Sequence, residues 1–160
     1  MEPRIEELKE KKLIGQKTRM SFANNKTFGL WKSFAPRKKE ILNSVSSDLY
    51  SVDIYNDTQF FVNFNPLKEF DKWAAIEVHD FDTVPEEMEK LIIPQGLYAV
   101  FHYKGKPSEA EETFKYIYGV WLPNSIYEMD NRPYIALMGD KYKGEDPDSE
   151  EEFWIPIKTK

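Results

Sequence analysis

Residues 97–121, LYAVFHYKGKPSEAEETFKYIYGVW, read as a strand, a turn and a helix in immediate succession. Leu97 to Tyr103 is the strand, and Lys104-Gly105-Lys106-Pro107 has turn composition. Ser108-x-x-Glu111 has the form of a capping box, which marks a helix start. Ala110, Phe114, Ile117, Tyr118 and Trp121 then recur at helical spacing, so one face of this helix is apolar. Pro123 is expected to end it.

Working outward, the same order occurs earlier in the chain. Leu13 to Phe22 reads as a strand after a charged lead-in. Phe28 to Leu42 reads as a helix with Leu30, Phe34 and Ile41 on one stripe, capped by Asn25 or Thr27 and broken near Pro36. Leu49–Tyr55 and Trp73–His79 have the aromatic and β-branched content of strands. After the second helix, Tyr134–Gly139 and Phe153–Ile157 are two more strands, joined through an acidic loop near 144–152. The chain is thus β-α-β-β followed by β-α-β-β, with halves at about 10–79 and 96–158. A helix and a few strands cannot bury their own apolar faces. Two units side by side give an α+β fold: an antiparallel sheet with two main helices on one face and a ligand groove between them.

Composition agrees with one domain over 1–160: 41% of residues are hydrophobic, enough for a full core, and no linker divides the chain. Aromatic residues make up 15%, which suits a core and equally a site for planar ligands. With no cysteine there is no disulfide framework, thiolate nucleophile or cysteine zinc site. The charged start lacks a signal-peptide run, and no stretch reaches the roughly 20 apolar residues of a membrane span. A cytoplasmic location and no membrane partner are expected. The net charge of −6 argues against coating a phosphate backbone, and Arg37-Lys38-Lys39 reads as a solvated helix face. His79 and His102 lack zinc-site spacing, no G-x-S-x-G elbow occurs, and no phosphate loop is present. No metal, cofactor or nucleic-acid partner is called for.

Gly96-Leu97-Tyr98-Ala99-Val100-Phe101-His102-Tyr103-Lys104-Gly105 resembles the opening strand of the second half of GyrI-like small-molecule-binding domains, which also serve as effector-binding parts of AraC-type and MerR-type regulators. Trp121-Leu122-Pro123, Arg132-Pro133 and Trp154-Ile155-Pro156-Ile157-Lys158 resemble that family's second helix end and closing hairpin. Tyr50–Tyr55 and Trp73–Val78 resemble its first half, so the likeness covers about residues 10–158. Multidrug-binding members commonly carry a Glu for cationic ligands at the position aligned with Ala136. Its replacement by Ala implies a neutral planar ligand. The segment Gly139–Glu152 further resembles a stand-alone branch that hydrolyses the cyclopropane ring of DNA-alkylating natural products.

Strand alternation, together with the resemblance, selects candidate residues. If Ala136 faces the groove, so do Tyr134 and Met138. The pseudo-symmetric strand sets Asp53 opposite Ala136 and Tyr55 opposite Met138. Trp31 and Phe34 come from the first helix, Tyr118 and Trp121 from the second. Trp73 and Glu77 share one face of their strand, and Glu77 is either exposed on the far side or functional. Tyr118 also has a plain reading as a core side chain.

Two functions fit. The first is a hydrolase in which Tyr55, Trp73, Trp121 and Tyr134 cage a flat apolar xenobiotic. There Glu77 orients or deprotonates water, and a tyrosine hydroxyl, Tyr55 among the candidates, stabilises the developing oxyanion. The second is a non-catalytic module that senses or sequesters such a molecule, with an unidentified protein partner. Haem binding is a third reading, and neither histidine offers a distinctive axial-ligand context for it.

Overall fold

A computed structural model describes residues 1–160. The strands are β1 (Arg4–Leu8), β2 (Lys11–Met20), β3 (Leu49–Ile54), β4 (Phe70–Val78), β5 (Glu89–Ile93), β6 (Gly96–Lys104), β7 (Tyr127–Met129), β8 (Tyr134–Met138) and β9 (Glu150–Thr159). Helix α1 (Thr27–Phe34) runs into a 3₁₀ segment (Ala35–Glu40), and α2 (Glu111–Tyr116) into a π-helical turn (Ile117–Trp121) and a last turn (Leu122–Asn124). All pairing is antiparallel, in the order β1-β6-β9-β8-β3-β4-β2-β5, with β7 added to the end of β9. The expected α+β sheet with two helices is present.

The sheet order is nearly mirror-symmetric about the β8–β3 pair: β6-β9-β8 on one side repeats as β2-β4-β3 on the other. Strands β1, β5 and β7 were not expected from the sequence. Each half begins with a short strand that leaves its own half: β1 pairs with β6, and β5 with β2. Arg4 faces Val100 and Lys11 faces Ile93, so the two arms share one register across the breaks at Lys9-Glu10 and Pro94-Gln95. The charged residues of β1 hid it, because most of its side chains stay exposed and only Leu8 is buried.

The core has three parts. Leu8, Leu13, Tyr50, Val52, Trp73, Ile93, Tyr98, Ile135 and Trp154 pack on one face of the sheet. On the other face, α1 covers Ile14, Ala74, Ile76 and Val78 through Leu30 and Phe34. Beside it, α2 and the π turn cover Phe101, Phe153, Ile155 and Tyr134. Ser51 lies between Ala136 and Ala74 in register, and such neighbours share a face, so both helices sit on the same side.

Helix ends depart from expectation in detail. The first helix breaks at Pro36 as its sequence requires, and the 3₁₀ segment carries it to Glu40. Asn25 accepts a hydrogen bond from the Thr27 N–H at 2.9 Å, in a turn that precedes the helix rather than as its cap. The Ser108 capping box does not form, because the Ser108 hydroxyl donates instead to Glu145 at 2.6 Å. Pro123 lies inside the last turn, one residue before its end. Arg132 of the Arg-Pro pair is structural: it donates to the Leu97 and Ile157 carbonyls at 2.6 and 3.0 Å and joins β6 to β9. A Cβ on Gly96 would sit 2.4 Å from that guanidinium, which is why the position holds glycine.

Candidate ligand-binding site

The helix-covered face has a floor of small side chains at its centre. Ala136 of β8, Ser51 of β3 and Ala74 of β4 form one row across three neighbouring strands. Tyr134, Asp53 and Lys72 form the next row on one side, and Met138 and Leu49 the next on the other. Ala136, Ser51 and Ala74 are all buried, Ala74 beneath Leu30 and Phe34 of α1. The expected facing of Asp53 with Ala136, and of Tyr55 with Met138, is corrected: Asp53 faces Tyr134, Ser51 faces Ala136, and Leu49 faces Met138. β3 and β8 run antiparallel, so partners ascend on one strand as they descend on the other.

Asp53 is the polar centre. Its Oδ2 accepts the Tyr55 hydroxyl at 2.7 Å, and the Lys72 ammonium lies 2.9 Å from its Oδ1. Both partners of that ion pair are enclosed, with side chains 13% and 6% exposed. Burial first, and then the Asp53 charge, pushes the Tyr55, Tyr118 and Tyr134 hydroxyls above the ordinary phenol value. All three therefore stay protonated at neutral pH. The Tyr55 proton is committed to Asp53, which leaves Tyr118 and Tyr134 to donate to a guest.

The segment after β3 covers this centre. Asn56 turns the chain in the left-handed conformation, at φ 60°. Residues 57–68 then fold back, and their ends are tied by Lys68 and Asp57 at 2.6 Å. Phe60 and Phe61 pack on Tyr55 with ring centroids at 4.6 and 5.0 Å. Phe61 also stacks on Tyr118 at 4.1 Å and 12°. Outside this stack a groove of about 270 Å³ is lined by Phe61, Val62, Tyr118, Leu122, Tyr127 and Met129. Behind it lie Tyr55 and Asp53. A larger concavity of about 590 Å³ between α1 and β2 is lined by polar side chains except for Leu30, and suits an apolar guest poorly.

The candidate residues separate into three groups. Asp53, Tyr55, Tyr118, Tyr134, Ala136 and Met138 come together on the groove face. Trp121 belongs to the same cluster but stands over β6, edge-on to Phe101 at 5.3 Å and beside Tyr127. Trp31 and Phe34 pack with α1 on the other half of that face. Trp73 and Glu77 point to the opposite face, since Ala74 and Ile76 take the helix side. There Glu77 accepts the Tyr50 hydroxyl at 3.2 Å and pairs with Lys11 at 3.2 Å.

Lys72, Phe60 and Phe61 are not among the residues the sequence singles out, and Glu151 falls within its acidic loop. The aromatic run Phe60-Phe61-x-x-Phe64 was the available signal for the covering segment. For Glu151 the signal was alternation: Glu151, Phe153, Ile155 and Ile157 continue one buried face of β9. The Glu151 carboxylate is pushed up to about 7 by burial, with Lys72 opposing the shift and Glu145 adding to it. Its Oε2 is buried and has no hydrogen-bond partner.

The model of one family, described as the GyrI-like small molecule binding domain, matches residues 1–158. The transcriptional regulator BrlR of Pseudomonas aeruginosa is 29% identical over 130 residues, which are 80% of this chain and 45% of the regulator. This chain therefore spans about half the length of that curated relative. Among solved structures, SAV2435 bound to tetraphenylphosphonium superposes with a TM-score of 0.75 at 15% identity, covering 99% of this chain and 94% of that one. EcmrR in a complex with DNA gives 0.73 at 14% identity over 99% of this chain and 58% of its own. A hydrolase encoded by lin2189 of Listeria innocua gives 0.59 at 10% identity, over 98% and 92%. These three likenesses are likenesses of fold.

Proposed function

The chain belongs to the GyrI-like small-molecule-binding domain family, and from that premise we propose that it holds a flat, largely apolar aromatic compound in the cytoplasm. The compound lies against Ala136 and Ser51, between Tyr134 and Tyr118 and beneath Phe60 and Phe61. One observation carries this reading. Small side chains at Ala136 and Ser51 lie beside a cluster of aromatic rings and a hydrogen-bonded polar centre at Asp53. Apolar faces supply the affinity, and the few free phenol donors fix orientation. No helix is long and apolar enough to cross a membrane.

Titrating the protein with a planar aromatic fluorophore tests the proposal. Saturable binding is expected, weakened at least tenfold in Tyr118→Ala and in Ala136→Trp, which fills the floor. Equal affinity in both variants would place the ligand elsewhere.

A second reading is hydrolysis of a strained cyclopropane conjugated to a dienone. The observation that favours it is the pair of uncommitted, protonated tyrosine hydroxyls beside buried carboxylates. Water would add to a ring carbon and the carbon–carbon bond would break. Its electron pair would pass into the dienone to form a phenolate, and the water proton would go to a carboxylate. Tyr134 or Tyr118 would donate to the developing oxyanion. Glu77 lies on the opposite face, so Asp53 and Glu151 are the carboxylates on the groove side. Incubation with a cyclopropyl-dienone alkylator, followed by mass spectrometry for one added water, decides it. Substrate bound and recovered unchanged leaves the binding module alone.

A further inference from the structure

Strand β2 is paired on both sides only as far as Gly15. β4 lies beside Lys12 to Met20, whereas β5 faces only Lys11 to Gly15. Just before β5 the chain is turned off the sheet. Glu87 takes the left-handed conformation at φ 66°, and the Met88 N–H donates to the Pro85 carbonyl at 3.1 Å. The outward backbone N–H and C=O groups of residues 16–20 are left without a partner in the protein.

The polar concavity of about 590 Å³ runs along this open edge. Gln16, Lys17 and Thr18 form one wall, Gly29 and Ser33 of α1 the other, and Glu89 stands at one end. A Cβ on Gly29 would meet nothing within 4 Å, so the helix leaves the space open. Unpaired backbone groups at strand spacing are satisfied by another extended backbone. A segment that continues the line of β5 is antiparallel to β2, as β5 is.

Side-chain charge narrows the occupant further. Lys17 and Arg19 project on the face away from the helices, where Lys17 lies over Trp73 at 5.5 Å and Arg19 reaches Asp71 at 3.2 Å. Gln16 and Thr18 project toward α1, in register with Ala74 and Lys72. A second copy of the chain fits poorly. Pairing this edge antiparallel with itself sets Lys17 opposite Arg19 twice, and like charges directly opposite destabilise a sheet. The other open edge, Phe101 to Lys104 of β6, also carries a cation. An acidic side chain between Lys17 and Arg19 is attracted by both. Their present partners, Glu89 and Asp71, form surface pairs that a guest displaces at little cost.

We propose that the open edge of β2 is a docking site for an extended acidic segment of another protein. The segment adds antiparallel to residues 16–20, with carboxylates facing Lys17 and Arg19 and small polar side chains facing α1. The site lies outside the groove that holds the small molecule and stands independently of that reading.

The probe is a fluorescein-labelled nonapeptide of alternating threonine and glutamate, with a version carrying lysine for glutamate as control. Binding to the full chain is followed by fluorescence anisotropy, and amide hydrogen exchange at residues 16–20 by NMR. The acidic peptide should bind saturably, about tenfold more tightly than the basic one, and should slow exchange at alternate amides of 16–20. Gly29→Phe, which fills the concavity, should weaken it by about tenfold. The double variant Lys17→Glu, Arg19→Glu should reverse the preference between the two peptides. All three substitutions are at exposed positions, and circular dichroism confirms folding. No saturable binding of the acidic peptide, equal affinity in Gly29→Phe, or binding without slowed exchange at 16–20 would overturn the assignment. A parent that dimerises in sedimentation, with the same amides protected before peptide is added, would give the edge to a second copy and overturn it equally.

Discussion

The Tyr55 hydroxyl donates to the Asp53 carboxylate at 2.7 Å, from two residues further along the same sheet face. The bond lies within the aromatic cluster, where Phe60 and Phe61 exclude water from it. It fixes Asp53 toward Lys72 and uses the one proton Tyr55 has. Tyr55→Phe keeps the ring packing and removes only the donor, leaving a buried carboxylate oxygen unsatisfied. The expected loss is about 1–3 kcal/mol of unfolding free energy, read by urea denaturation. A loss below the error of that measurement would show that water replaces the phenol.

Phe61 separates the outer groove from the polar centre, stacked on Tyr118 and edge-on to Tyr55. Phe61→Ala removes that separation. It should cost about 3 kcal/mol in stability, because the ring packs on Phe22, Tyr55, Phe60, Phe64 and Tyr118. Association of a planar fluorophore, followed by stopped flow, should quicken several-fold. Unchanged association would mean that ligands enter by another route. Lys68→Ala, which unties the two ends of the covering segment, should move the same rate in the same direction.

Glu77 provides a contrast from the opposite face. Its partners are Lys11 and Tyr50, both part of the structural packing there. Glu77→Gln keeps an acceptor for the Tyr50 hydroxyl and loses only a partly exposed ion pair, worth under about 1 kcal/mol. Ligand affinity should stay within twofold of the parent. A tenfold loss would return Glu77 to the site and overturn the division into two faces drawn above.

Why the sequence placed Glu77 in the site and overlooked Glu151 has a physical answer. Alternation shows which residues share a face but not which face the helices cover. Trp73, Ala75 and Glu77 share a face as read, and the choice of side belongs to the tertiary packing of Leu30 and Phe34 on Ala74 and Ile76. Both helical stripes and the strands β2, β3, β4, β6, β8 and β9 were legible because apolar periodicity is local. β1 and β5 were not, since their pairing joins opposite halves of the chain and their side chains are largely exposed. Glu151 was read as the end of an acidic loop. Its burial depends on β9 starting at Glu150, a boundary set by the pairing of Lys104 with that residue.

The Glu151 carboxyl titrates at about 7 in the folded protein, against an ordinary value of 4.5. The folded state thus holds its proton at pH values where the unfolded chain has lost it. The stabilising contribution of this group is complete below about 4.5 and is lost as pH rises to 7. Glu151→Gln cannot ionise and should escape that loss. Between pH 4.5 and 8 the parent should therefore lose about 2 kcal/mol relative to the variant, allowing for water that reaches a group not wholly enclosed. Carboxylates held low, such as Asp130 beside Arg132, act in the opposite sense at lower pH and cancel in the difference. Urea midpoints for both proteins at the two pH values measure it. Parallel profiles would mean that Glu151 is ionised and solvated in the folded state, and that the acid facing the groove is not held protonated by burial.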